Sequence, residues 1–131
     1  MTFLEHGSYS IEHHGDFIIV DATGPFNEQS VIKYKNELEI IIQRLNGRKW
    51  KQIIIMNDMS IFTPEAESEL RETLKLRKNH GLIFSAVVCG SKLYNGLIRG
   101  QLSRCYLSLD IAHKFFNDLE EAKQWLKNNS F

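Results

Sequence analysis

The sequence predicts an α/β domain built on a mostly parallel sheet, and three observations carry that prediction. An apolar run rich in β-branched residues, Lys51-Gln52-Ile53-Ile54-Ile55-Met56, ends in a polar turn at Asn57-Asp58. Such a run is what a parallel strand buried on both faces requires. A helix start follows at Thr63-Pro64-Glu65, and a second apolar run spans Leu82 to Cys89. Strand and helix signals therefore alternate, which demands right-handed crossovers between parallel strands. The 131 residues suit one domain, 1–131, large enough to bury a core without metal or disulfide help.

Tyr9 to His13 and Asp16 to Ala22 read as two extended segments around His14-Gly15, so the sheet opens with an antiparallel β-hairpin. Thr23-Gly24-Pro25-Phe26 breaks the second strand, and Asn27 is placed to cap a helix. Val31, Tyr34, Leu38, Ile41, Ile42 and Leu45 then recur at helical spacing until Asn46-Gly47. After the central strand, Thr63 supplies a hydroxyl cap and Pro64 the first helical position, while Ala66, Leu70 and Leu74 mark the buried side. Asn79-His80-Gly81 closes this helix.

Beyond the strand Leu82 to Cys89, the spacing of Leu97, Ile98, Leu102, Cys105, Tyr106 and Leu109 predicts a helix over Tyr94 to Leu109. Gly96 and Gly100 each cost about 1 kcal/mol there relative to alanine, so a short, bent or mobile helix is expected. Ile111 to Phe116 is the last strand, and Asp118 with Glu121 opens a final helix whose Leu119, Ala122, Trp125 and Leu126 face inward. The element order is ββαβαβαβα, with helices packed on the sheet and the strand order left open.

Sixteen basic residues balance sixteen acidic ones, which gives no net field towards nucleic acid. The apolar runs are too short to cross a bilayer, and Met1 to His14 lacks a basic segment followed by an apolar one, so no transmembrane segment and a cytoplasmic location are expected. Cys89 and Cys105 read as small buried hydrophobes rather than metal ligands. His6, His13, His14, His80 and His113 read as surface residues, with His13 and His14 on opposite sides of a strand. Gly90-Ser91-Lys92 lacks the longer glycine-rich run of a P-loop, and no nucleophile elbow occurs. The expectation is a non-enzyme with no cofactor and no metal.

With this element order and a buried strand ending in Asn57-Asp58-Met59-Ser60 before a helix, the chain resembles the STAS domains, most closely their SpoIIAA-like branch of small stand-alone proteins. Ala86-Val87-Val88-Cys89-Gly90-Ser91-Lys92-Leu93 is similar to that branch's penultimate strand and turn, and Phe116 to Leu126 to its closing helix. The likeness spans about Ser8 to Leu126. It implies a regulatory, protein-binding role like that of anti-anti-sigma proteins, which carry a phosphorylatable serine at the start of the helix after the central strand. Anchored on Asp58-Met59-Ser60, that serine's column falls on Glu67, so the phosphoserine pattern is not reproduced. A SEC14-like carrier reading also attaches to this branch.

The candidate partner or anion-binding loop is Asp58, Ser60, Phe62 and Thr63, at the carboxyl end of a central strand and ahead of a helix N-terminus. Phe62 is expected exposed there, as an anchor for a partner or lipid. The structural alternative is that Thr63 caps the helix while Asp58 or Ser60 closes a turn. Candidate phosphorylation sites are Ser60, Thr63 and Ser68. A candidate pocket mouth is Gly90, Ser91, Lys92 and Tyr94, with Tyr94 to Leu109 as its lid. Two roles follow: an interaction domain with a protein partner, including a second copy of the chain, or a carrier of a small apolar ligand.

Overall fold

Each strand of the sheet pairs with its neighbour in sequence. The computed structural model describes Thr2–Phe3 and residues 7–129. The strands are β1 (Thr2–Phe3), β2 (Ser8–His14), β3 (Phe17–Thr23), β4 (Trp50–Asn57), β5 (Leu82–Cys89) and β6 (Ala112–Phe116), in spatial order β1-β2-β3-β4-β5-β6. The first two pairings are antiparallel and the other three parallel. The ββαβαβαβα order is thus preceded by a two-residue edge strand that the sequence pattern did not reveal.

The helices are α1 (Glu28–Leu45), α2 (Pro64–Asn79), α3 (Asn95–Ser108) and α4 (Leu119–Asn128). Strands β3 to β6 are added in one direction across the sheet. With right-handed crossovers, α1, α2 and α3 must then fall on one face. The buried residues agree: Ile18, Val20, Ile54, Met56 and Val87 share a cluster with Val31, Leu38, Leu70, Leu74, Ile98 and Leu102. Helix α4 connects no further strand and packs on the opposite face, where Ala122 and Leu126 meet Ile53, Ala86 and Val88. Alternating residues of β4 and β5 therefore serve two cores, which is why these strands read as continuous apolar runs.

The capping expectations hold. Asn27 accepts from the Ser30 N–H, Thr63 from the Ala66 N–H and Asp118 from the Glu121 N–H. Pro64 occupies the first turn of α2, and Asn46 takes the left-handed conformation that ends α1. Helix α3 corrects one expectation. It runs unbroken for 14 residues through Gly96 and Gly100, because buried Ile98, Leu102, Cys105 and Tyr106 anchor it. Packing of the apolar face outweighs the local propensity. Leu97, by contrast, points outward at 51% exposure.

Candidate functional site

The turn after β4 does not present the surface expected of it. Asp58 is exposed and left-handed (φ 47°), but Ser60 is fully enclosed. The Ser60 hydroxyl accepts from the Gly24 N–H at 3.2 Å and faces the carbonyls of Asn57 and Ala22. A side chain so committed is neither a contact point for a partner nor an accessible phosphoacceptor, which corrects both readings of Ser60. Its neighbour Gly24 is required by close approach, since a Cβ there would lie 2.5 Å from the Met59 carbonyl oxygen.

Phe62 is also corrected. It is half-buried, its ring packed at a tilt against Phe26 with centroids 5.0 Å apart. The loop backbone is bonded throughout this region: Phe26 N–H donates to Ile61 O, Thr63 N–H to Phe26 O, and the Gln101 side chain both accepts from Phe62 N–H and donates to Phe62 O. Thr63 is exposed with its hydroxyl engaged as the α2 cap. Ser68 is exposed on α2. Glu67, at the column of the family's phosphoserine, is held by Arg104 of α3 at 2.7 Å and by Arg71 at 3.5 Å.

Gly90, Ser91, Lys92 and Tyr94 lie at the same end of the sheet as Asp58, because Gly90 N–H donates to Met56 O across the β4–β5 boundary. Ser91 is buried and accepts from the Tyr94 N–H at 3.1 Å, turning the chain into α3. None of these four residues is among those lining the cavity described next, whereas Leu102 and Tyr106, from the segment expected to act as its lid, are.

That cavity lies between α1, α2, α3 and the sheet. Its walls include Tyr9, Val20, Met56, Phe62, Leu102 and Tyr106, with Tyr34 and Arg77 adding the polar ends. It measures about 50 Å³, or about 540 Å³ of non-atom space when the open mouth is counted. An apolar cavity of roughly 150 Å³ admits benzene, so the enclosed part takes only a few heavy atoms and a larger ligand must extend into the mouth.

A polar network reaches the cavity wall at Arg77 and Tyr106. The Arg77 guanidinium is 1% exposed, and its Nη1 donates to Gln52 Oε1 at 3.1 Å. Gln52 Nε2 donates in turn to Ser85 Oγ at 2.9 Å, and Ser85 and Tyr106 share a hydrogen bond of 2.8 Å. The guanidinium carbon lies 5.1 Å from the Tyr34 ring centroid, within cation–π range. Burial raises the phenol pKa values of Tyr34 and Tyr106, which keeps both groups neutral. Among the described residues no Asp or Glu pairs with Arg77, although a buried ion without a counter-charge costs several kcal/mol.

No motif in the sequence announces this network. Its signal is one of position only, because Gln52 and Ser85 interrupt apolar strands, and Arg77 continues the Ala66, Leu70, Leu74 stripe of α2. Burial also raises the thiol pKa values of Cys89 and Cys105, both free cysteines. Among the described residues no group of histidine, cysteine and carboxylate side chains converges to hold a metal, and no helix is long and apolar enough to cross a membrane. His6 lies outside the described residues. His113 departs from the surface expectation, being half-buried and stacked on Tyr106 at 4.7 Å.

No family model and no curated protein matches this chain. Among solved structures, an uncharacterized protein of the DUF3478 family from Shewanella loihica PV-4, described as having a SpoIIAA-like fold, is similar at a TM-score of 0.69 and 18% sequence identity. The match covers 96% of this chain and 98% of that one. Near-complete coverage in both directions agrees with the element order and with the buried strand before α2, and the fold of this chain is SpoIIAA-like.

Proposed function

We propose that the chain is a single, non-catalytic, cytoplasmic domain that binds a small, largely apolar molecule. The observation that carries this reading is the cavity between α1, α2, α3 and the sheet, lined mainly by apolar side chains with Ser30, Arg77 and tyrosines adding a few polar groups. Binding sites for small molecules are of this kind, apolar concavities with a few convergent polar groups. The free, buried thiols suit a reducing compartment.

The test is native mass spectrometry on protein purified without refolding, followed by calorimetric titration with 1-hexanol and hexanoate. A retained mass lost on denaturation, or saturable binding of either compound that Ala22→Leu abolishes by filling the cavity, supports the reading. Absence of both overturns it.

A second reading, the regulatory interaction domain, is favoured by Leu93 at 81% exposure and Leu97 one turn further on, beside exposed Asp58 and Lys92 at the carboxyl end of the sheet. The occupant we assign to this surface is a second copy of the chain. Exposed Thr63 and Ser68 remain the candidate modification sites of this reading. A dimer in sedimentation experiments that Leu93→Ser with Leu97→Ser converts to monomer supports it. A monomer at every concentration rules the homodimer out.

A further inference from the structure

Arg77, the cationic wall group of the cavity among the described residues, has a chemical preference that the apolar walls do not explain. Arg77 is anchored by a single nitrogen, with Nη1 donating to Gln52 Oε1 at 3.1 Å. Its other two nitrogens, Nε and Nη2, are closed to solvent and have no hydrogen-bond partner. In a guanidinium, the Nε–H and the N–H of Nη2 project in parallel from one edge. That edge matches the two oxygens of a carboxylate, which it binds through a pair of charge-assisted hydrogen bonds. The unpartnered nitrogens are therefore a complete carboxylate fork, held in orientation by Gln52 on one side and by the Tyr34 ring 5.1 Å away.

Buried donors are nearly always satisfied, and guanidinium groups do not deprotonate in proteins. A fork that is unpaired, charged and sealed in the wall of an apolar cavity thus lacks an anionic acceptor. Among the described residues the nearest-lying candidates do not provide one. Gln52 Oε1 faces Nη1, Ser85 and Tyr106 bond one another, and the ion pairs of α2 use Glu67 with Arg71 and Arg104.

We propose that the ligand of this cavity is a small carboxylic acid with an apolar body, bound as its anion with the carboxylate on the Nε–Nη2 edge of Arg77. The inference rests on the ligand-binding reading and adds the head group to it. The apolar body lies along Leu70, Leu102 and Met56, and a chain of about six carbons extends from the enclosed space into the mouth.

The test compares hexanoate with 1-hexanol, equal in chain length and different in charge, by calorimetry at neutral pH on the full chain. Wild-type protein is expected to bind hexanoate more tightly, on the order of tenfold or more for a bidentate charge-assisted pair. Arg77→Met is expected to abolish that preference while retaining 1-hexanol binding. Equal affinity of wild-type protein for acid and alcohol would overturn the head-group assignment and leave the ligand-binding reading standing, whereas binding of neither compound would overturn the assignment and, with no retained mass in the native spectrum, the reading itself. Should Arg77→Met fail to fold, the wild-type comparison still decides, together with the Arg77 Nε–H resonance. That resonance must shift with hexanoate and not with 1-hexanol, and an unmoved resonance at saturation counts against the fork.

Discussion

Gln52 in the middle of β4 holds Arg77 near the end of α2 through one hydrogen bond of 3.1 Å, and both side chains are closed to solvent. The pair ties the α1–α3 helix layer to the central strand and continues into the hydrogen bonds of Ser85 and Tyr106. Each member is costly without the other, because the remaining one keeps a desolvated polar group with no partner.

Gln52→Leu is therefore expected to destabilise the fold by about 2–4 kcal/mol in urea denaturation. In the double variant with Arg77→Met the loss should be smaller than the sum of the two single losses, with a coupling of about 1–3 kcal/mol. Strict additivity would mean that the two side chains do not act together.

Ser60 gives a second prediction. Ser60→Ala leaves the Gly24 N–H without its acceptor and should cost about 1–3 kcal/mol. Ser60→Asp, the charge mimic of phosphorylation, should be worse, because it forces an anion against the Asn57 and Ala22 carbonyls. Thermal unfolding reads both, and an Asp variant as stable as the native chain would show that the site opens readily.

Thr63 behaves differently, being exposed and capping α2. Thr63→Ala should cost about 1 kcal/mol. Thr63→Asp should restore most of that, since a carboxylate caps equally well and lies at the positive end of the helix dipole. Equal losses for the two variants would exclude capping as the role of this side chain.

The buried thiols and phenols predict the alkaline limb of stability. Cys89 and Cys105 are raised from 9.0, and Tyr34 and Tyr106 from 10.0, each mainly by burial. In the unfolded chain these groups lose protons first, so above about pH 9 the folded state binds more protons and stability falls as pH rises. The contribution is complete below pH 9 and is lost progressively through the raised folded values. Denaturation midpoints between pH 8 and 11 should decline accordingly, and a flat profile would contradict the burial of all four groups.

The sequence was informative where the physics is local. Asn27, Thr63 with Pro64, and Asp118 with Glu121 announced three helix starts, since a cap bonds within three residues of itself. The runs in β4 and β5 announced strands buried on both faces, because each faces a separate core. The site was less legible. The role of Ser60 depends on Gly24, 36 positions away, and the fork at Arg77 depends on Gln52, 25 positions away. Neither partner is implied by its neighbours in the chain.

Periodicity, capping chemistry and turn residues by themselves determined the class of fold and the order of its elements, because those signals repeat over one turn of helix or two residues of strand. The tertiary structure alone decided which polar residues were sealed inside, where the cavity lies, and that Phe62 faces inward while Leu93 faces out. These outcomes follow from non-local packing, in which a side chain's partners come from other layers of the sheet and helices.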